Sequence, residues 1–228
     1  MNEVRIVPVA GVPEVRPGDD LGALLADAAA RIPLEDGDVL VVTQKVVSKA
    51  EGRVVAGAGR AAALAVEAKR VLRRSGDMVI AETAHGFVCA NAGIDASNVP
   101  GDDVVLLPLD PDASARRIRA RVGALAGADV AVVVSDTFGR AWRLGQTDVA
   151  IGVAGIEPFV DYRGTADAQG RVLTATRICV ADELAAAAEM VMGKAEGVCA
   201  AVIRGARVVR GRGSASQIVR PPSEDLFR

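Results

Sequence analysis

The chain reads as a mixed α/β (α+β) protein, with mixed sheets flanked by helices, and three observations lead there. Continuous apolar runs, Val39-Leu-Val-Val-Thr43 and Val130-Ala-Val-Val-Val134, have the composition of strands covered on both faces. Capped stretches with apolar positions at helical spacing alternate with them. Met78-Val-Ile80 and Gly86-Phe-Val-Cys-Ala90 form a hairpin-type pair, which a clean doubly wound sheet would not contain. Half of the residues are hydrophobic but only 3% are aromatic, so the core must come from Ala, Val, Leu and Ile. That favours helices packed on β-branched strands over an aromatic-rich sandwich.

The elements follow in order. Val4-Arg-Ile-Val-Pro-Val9 is the first strand, and Asp19-Asp20 caps a helix over Leu21–Ile32. Gly37-Asp38 leads into the Val39–Thr43 strand. Arg60–Ser75 is expected to be one helix, ended by Gly76. The hairpin at 78–90 turns through Glu82–His85, and Val104–Leu107 is the next strand. Asp110 caps a helix with Pro111 in its first turn and four arginines, Arg116, Arg117, Arg119 and Arg121. The Val130–Val134 strand follows, then strands over Thr147–Val153 and Val172–Val180. Ala181–Met192 is an Ala-rich helix with Asp182 and Glu183 placed favourably at its N-terminus. Val198–Ile203 is the last strand, and residues 205–228 are expected to be largely irregular. Residues 1–228 read as one domain, long enough to bury a real core.

Several classes are disfavoured at once. A net charge of -2 without blocks of like charge leaves no nucleic-acid footprint. No apolar run approaches membrane-spanning length and no signal peptide precedes the first strand, so a cytoplasmic protein is expected. Cys89, Cys179 and Cys199 are far apart and sit among apolar neighbours, as reduced buried thiols do. Without close Cys or His pairs there is no zinc site. His85, the only histidine, has no evident carboxylate partner and is read as structural.

Two acidic segments carry the chemistry: Asn91-Ala-Gly-Ile-Asp-Ala-Ser-Asn98 and Ser135-Asp-Thr-Phe-Gly-Arg140. Each is expected to be a turn after a strand, with Asp95 and Asp136 beside hydroxyl and amide side chains. Asp136 would stand at the C-terminal end of a buried strand, where open α/β sheets bind ligands. Such a hard-oxygen set suits Mg²⁺ or Mn²⁺ bridging carboxylates to phosphate oxygens. No Gly-x-x-x-x-Gly-Lys-Ser/Thr loop is present. Gly57-Ala-Gly-Arg-Ala-Ala62 matches the dinucleotide fingerprint, but its preceding strand is short and half polar, so it is read as a loop entering a helix. Lys45 and Lys49 follow a buried strand; they either neutralise phosphate or lie on one exposed helical face. Trp142, flanked by Arg140 and Arg143, suits either stacking on a flat ring or a subunit interface.

Read together, these segments resemble the coenzyme F420-0:L-glutamate ligases. The resemblance rests on Pro8–Asp20, Lys45-Val-Val-Ser-Lys-Ala-Glu-Gly52, Asn91–Asn98, Leu107-Pro-Leu-Asp-Pro-Asp-Ala-Ser114, Ser135–Arg140 and Ala181-Asp-Glu-Leu-Ala-Ala186, in that order along the chain. It implies a GTP-dependent ligase that joins L-glutamate to a deazaflavin precursor, an interwoven two-lobed fold and an intertwined homodimer. It also implies Mg²⁺ or Mn²⁺ and a monovalent cation such as K⁺. By position, Val12, Pro13, Glu14, Val15, Gln44, Lys45, Lys49 and Asn98 would bind the nucleotide, with Met192, Gly193 and Lys194 beside it. Asp95, Asp136 and Thr137 would hold divalent ions, and Asp95, Asp136 and Lys49 would form the catalytic set. Arg140 and Arg143 are assigned to acidic substrate carboxylates by their chemistry alone. A reductase-like C-terminal domain, present in some relatives, is not expected.

Overall fold

The structure, a computed structural model, describes residues 3–57, 59–97 and 101–226. Its centre is a five-stranded sheet built from β1 (Arg5–Pro8), β2 (Val39–Thr43), β8 (Ala131–Arg140), β9 (Arg143–Ala154) and β12 (Ala200–Arg204), ordered β1-β12-β2-β8-β9. Only β2 and β8 run parallel; the other neighbours are antiparallel.

Side-chain alternation along these strands sorts the core into two faces. Leu40, Val42, Val132, Val134 and Val202 pack with α1 (Leu21–Ala28) and α4 (Pro111–Ala126). Val39, Val41, Ala131, Val133, Ala201 and Ile203 pack under α5 (Val180–Met192). Both faces are therefore covered, as the unbroken apolar runs require. Asp20 and Asp110 cap α1 and α4, accepting from the Ala23 and Ala113 amides at 3.0 and 2.8 Å. Arg121 on α4 donates to Asp20 at 2.6 Å and ties the two helices together.

Between β2 and α4 the chain builds a smaller lobe with its own core of Ala63, Leu64, Val79, Ala81, Ala92, Ile94, Val104 and Leu106. After α2 (Gln44–Ala50), whose Val47 packs on the main core, it comprises β3 (Val54–Val55), α3 (Gly59–Glu67), β4 (Ala68–Ser75), β5 (Met78–Thr83), β6 (Val88–Ala90) and β7 (Val104–Val105). Strands β4, β5 and β6 form an antiparallel meander, and β3 pairs with β7. The remaining pair is β10 (Val160–Asp161) with β11 (Arg177–Ile178). The mixed α/β class with several sheets and flanking helices is the one expected. Among the described residues no helix is long and apolar enough to cross a membrane.

Four expectations change. The helix over 60–75 ends at Glu67, and residues 68–75 are a strand paired with β5. The Ala- and Arg-rich composition favours helix, but pairing with β5 and the Lys69 and Arg70 bonds to Glu82 (3.3 and 3.1 Å) override that propensity. The strand expected over 172–180 shrinks to Arg177–Ile178, because the segment folds back on itself, with the Leu173 amide on the Thr165 carbonyl at 2.8 Å. Strand 104–107 keeps only Val104–Val105, the length its partner Val54–Val55 allows. The Asp136 segment is no turn, because β8 runs on through it to Arg140 along β9. The fingerprint at 57–62 also lacks its context: β3 lies in a two-stranded antiparallel sheet, not in a βαβ unit. Residues 205–226 carry only short 3₁₀ turns at Ala215–Gln217 and Pro222–Glu224 and an isolated bridge from Arg210 to Ile156.

Candidate functional site

The parallel pairing of β2 with β8 ends at Thr43 and Ser135, and a cleft of about 700 Å³ opens there. Its size suits a cofactor-scale ligand, for which sites span roughly 300–1,000 Å³. Four segments wall it: Thr43–Val46 with Lys49, Cys89–Asn91 with Gly93–Asp95 and Ser97, Ser135–Gly139 with Gln146 and Asp148, and Gly193–Ala195 with Gly197–Cys199. Glu14 reaches in from the loop after β1. Strand ends of both lobes thus converge on one polar cavity.

Local backbone geometry aims the first acidic segment. Asn91 and Ala92 have φ of 50° and 53°, an uncommon conformation for residues with a Cβ. The Asn91 side chain accepts from the Val79 amide at 3.1 Å and anchors that turn to β5. Gly93 has φ of 71°, and a Cβ there would meet the Leu107 side chain at 2.8 Å. Asp95 then exchanges two backbone hydrogen bonds with Val105, which fixes its carboxylate toward the cleft.

The charges form two groups. In one, Lys45 pairs with Asp95 at 2.9 Å and also donates to Ser97 Oγ at 2.7 Å. Burial works against the Asp95 charge, but Lys45 and the Ser97 amide, bonded at 2.6 Å, outweigh it and hold this carboxyl below its ordinary range. In the other, Asp148 is 2% exposed and accepts from Ser135 Oγ (3.0 Å), Thr137 Oγ1 (2.6 Å) and Lys194 Nζ (2.9 Å). Lys194 also donates to Thr137 Oγ1 at 2.8 Å. Lys49 pairs with Glu14 at the rim.

Asp136 stands between these groups. Its carboxylate accepts from its own neighbour's amide, Thr137 N, at 2.8 Å, and no lysine or arginine pairs with it among the described residues. Burial is the main cause that pushes its pKa up to about 7; the Thr137 amide opposes it most, the negative charges of Asp148 and Asp95 add to the rise, and Lys45 opposes it least. Burial likewise raises the Cys89 thiol to about 12 and the Cys199 thiol to about 11, with Asp136 adding to the effect at Cys89. These cleft thiols are protonated and unreactive at neutral pH.

Of the residues singled out in the sequence, Glu14, Gln44, Lys45, Lys49, Asp95, Asp136, Thr137, Gly193 and Lys194 line the cleft. Lys45 and Lys49 therefore face the cavity, not solvent. Gln44 is buried, with its side-chain oxygen accepting from Ser48 at 2.9 Å. Val12 and Val15 pack on the main core, Met192 is buried under the other face, and Pro13 is exposed. Asn98 lies outside the described residues. Arg140 and Arg143 face each other across the exposed tip of the β8–β9 hairpin, with Trp142 between them, beyond the cleft lining. His85 is likewise outside it; Nε2 lies 3.0 and 3.1 Å from the Pro108 and Leu109 carbonyls, as a donor fastening the smaller lobe to the start of α4.

Asp148 escaped the sequence reading. Its signal was an acid inside the apolar run of β9, since a buried carboxylate is rare unless partnered. No three His, Cys, Asp or Glu side chains among the described residues converge tightly enough to hold an ion unaided. A divalent cation here would need oxygens from a ligand as well. That is the habit of Mg²⁺, which takes one or two carboxylates and completes its shell with phosphates and water.

Comparison with known proteins agrees with the family resemblance. The profile of the F420-0:Gamma-glutamyl ligase family matches residues 11–205. The coenzyme F420:L-glutamate ligase of Methanopyrus kandleri is 43% identical over 99% of this chain and 98% of its own length. Those of Methanothermobacter thermautotrophicus and Archaeoglobus fulgidus are 40% and 41% identical, each over 99% of this chain, and over 99% and 96% of their own lengths. With the match covering most of the sequence, the chain belongs to the F420-0:gamma-glutamyl ligase family.

Proposed function

We propose that the chain is a GTP-dependent ligase that joins L-glutamate by an amide bond to the deazaflavin coenzyme F420-0, releasing GDP and phosphate, with any further γ-linked glutamates to be counted from the product masses. The observation that carries this reading is Asp136: a partly buried carboxylate that pairs with no lysine or arginine among the described residues, flanked by Asp95 and Asp148, in a cleft that also holds Lys45, Lys49 and Lys194. Excess negative charge at its base invites a divalent cation, and ammonium groups around it invite phosphate.

Amide formation needs the acceptor carboxylate activated, because an oxide is a very poor leaving group. In the proposed sequence the carboxylate attacks the γ-phosphorus of GTP, GDP departs, and an acyl phosphate forms. The glutamate amine then attacks the acyl carbon, phosphate leaves with the C–O bond electrons, and the amine loses a proton. Mg²⁺ or Mn²⁺ bound at Asp95 and Asp136 would neutralise β- and γ-phosphate charge. Lys45 and Lys49 would offset the remainder, and the cleft walls hold the reactants in line while excluding water. Lys49 acts with the two aspartates as the catalytic set in this reading.

Arg140 and Arg143 join it as binders of acidic substrate groups reaching the hairpin tip. A homodimer belongs to it too, supported by the exposed Trp142 and Leu144 at that tip (78% and 97%). Purified protein with GTP, Mg²⁺ or Mn²⁺, K⁺, F420-0 and L-glutamate should yield GDP and a product heavier by one glutamyl residue in mass spectrometry. An unchanged product mass with GTP left intact refutes the ligase reading.

A further inference from the structure

Asp148 and Lys194 form an arrangement with its own logic. Asp148 lies in the floor of the cleft on β9, opposite Thr137 in register. Its Oδ2 accepts from Ser135 and its Oδ1 from Thr137 and Lys194, so every partner donates a proton toward it. The Thr137 hydroxyl therefore spends its hydrogen on Asp148, and its oxygen accepts from the Lys194 ammonium. Glu189, near the end of α5, is 3.6 Å from the same ammonium. The Lys194 nitrogen is thus surrounded by three oxygens, two of them from carboxylates.

The backbone puts it there deliberately. Gly193 ends α5 with φ of 61° and ψ of -167°, and a Cβ at that position would strike the Glu196 carboxylate. The chain can turn Lys194 into the cleft only through that glycine.

We infer that Asp148 is a positioning residue that holds the Lys194 ammonium in the cleft as a resident cation. The Thr137–Asp148 end of the site then carries its positive charge on the chain itself, and a divalent ion is confined to the Asp95–Asp136 end. This deepens the proposed ligase reading, but it concerns only the occupancy of one oxygen cluster and can stand or fall separately. A metal at Thr137 would have to displace an ammonium that already satisfies both Thr137 and a buried carboxylate. Removing the ammonium while keeping the lysine's apolar stem leaves Asp148, Thr137 and Glu189 as a vacant hard-oxygen set of the kind Mn²⁺ takes.

The test is a count of ions, without substrate or turnover. Nucleotide-free protein is titrated with Mn²⁺ and the bound ion followed by electron paramagnetic resonance and calorimetry. Lys194→Met should bind one more Mn²⁺ per chain than the parent, at least tenfold tighter than any additional ion the parent takes up. Lys194→Arg should keep the parent's count, and Asp148→Asn added to Lys194→Met should abolish the gain. A Lys194→Met protein that gains no ion overturns the inference, as does a gain that survives Asp148→Asn. Lys194 is half exposed on a loop and outside the packed core; far-UV circular dichroism verifies the fold of each variant, and a second neutral variant, Lys194→Gln, must give the same count. A parent that binds no ion while Lys194→Met gains one would count against the metal in the proposed function and leave this inference standing.

Discussion

Asp136→Asn should make the metal-free and nucleotide-free protein more stable at alkaline pH while removing its turnover. The carboxyl is raised from its ordinary 3.8 to about 7 in the folded chain, first by burial and then by Asp148 and Asp95. The sign follows from proton linkage. Between these two values the folded state holds a proton that the unfolded state has released, so stability falls as pH rises through this window. Below about pH 4 both states are protonated and the group contributes no pH dependence; above about pH 7 the full cost is present. At about 1.36 kcal/mol per pH unit, the gap corresponds to about 4 kcal/mol. Asn keeps the shape and can still accept from the Thr137 amide, but it carries no charge. Urea unfolding of parent and variant from pH 4 to 9 should show curves that meet near pH 4 and separate by about 2–4 kcal/mol above pH 7.5, the lower end allowing for water reaching a partly buried group. Curves that stay parallel, or a variant that is less stable at pH 8, would refute the claim that burial, aided by the Asp148 and Asp95 charges, strains this carboxylate.

Other outcomes follow from the same geometry. Arg204 donates to both oxygens of the buried Asp38, at 2.8 and 2.7 Å, so Arg204→Met should lower the midpoint of urea unfolding by leaving that charge unpaired. Gly93→Ala must place a Cβ against Leu107 at φ of 71°; it should lose about 1–3 kcal/mol and weaken Mn²⁺ and GTP binding together, as read by calorimetry. With thiols raised to about 12 and 11, Cys89 and Cys199 should react with a disulfide reagent at pH 8 far more slowly in native protein than in urea.

What the sequence discloses here depends on how local the cause is. The caps at Asp20 and Asp110, the runs of β2 and β8 and the Ala-rich α5 are set by neighbours within a turn or two, and the chain spells them out. The small lobe is harder. Residues 68–75 have helical composition, and only contact with β5 makes them a strand. The site divides the same way. Asp95, Asp136, Lys45 and Lys49 sit in motifs that can be recognised singly. Asp148 becomes meaningful only when β9 lies against β8 and sets it opposite Thr137, a relation of register that no linear motif contains. The hairpin tip shows the converse: sequence assigns Arg140 and Arg143 a charge to bind, but only the length of β8 shows that they stand beyond the cleft lining, where a substrate must extend to meet them.

The continuation of β8 beyond the end of β2 has a consequence for how such a site can vary. Ligand-binding residues on loops tolerate insertion, because a loop can lengthen without moving its scaffold. Here Asp136 and Thr137 are rungs of a ladder, with Val149 and Asp148 opposite and an irregularity in pairing just before them, between Val134 and Ser135. Successive residues of a strand point to opposite sides, so the loss or gain of one residue in either arm would exchange the places of acid and hydroxyl. Substitution at a rung is open to selection, whereas change in length is closed. Chains descended from this one should therefore preserve the spacing from Ser135 to Asp148 even where the letters between them drift.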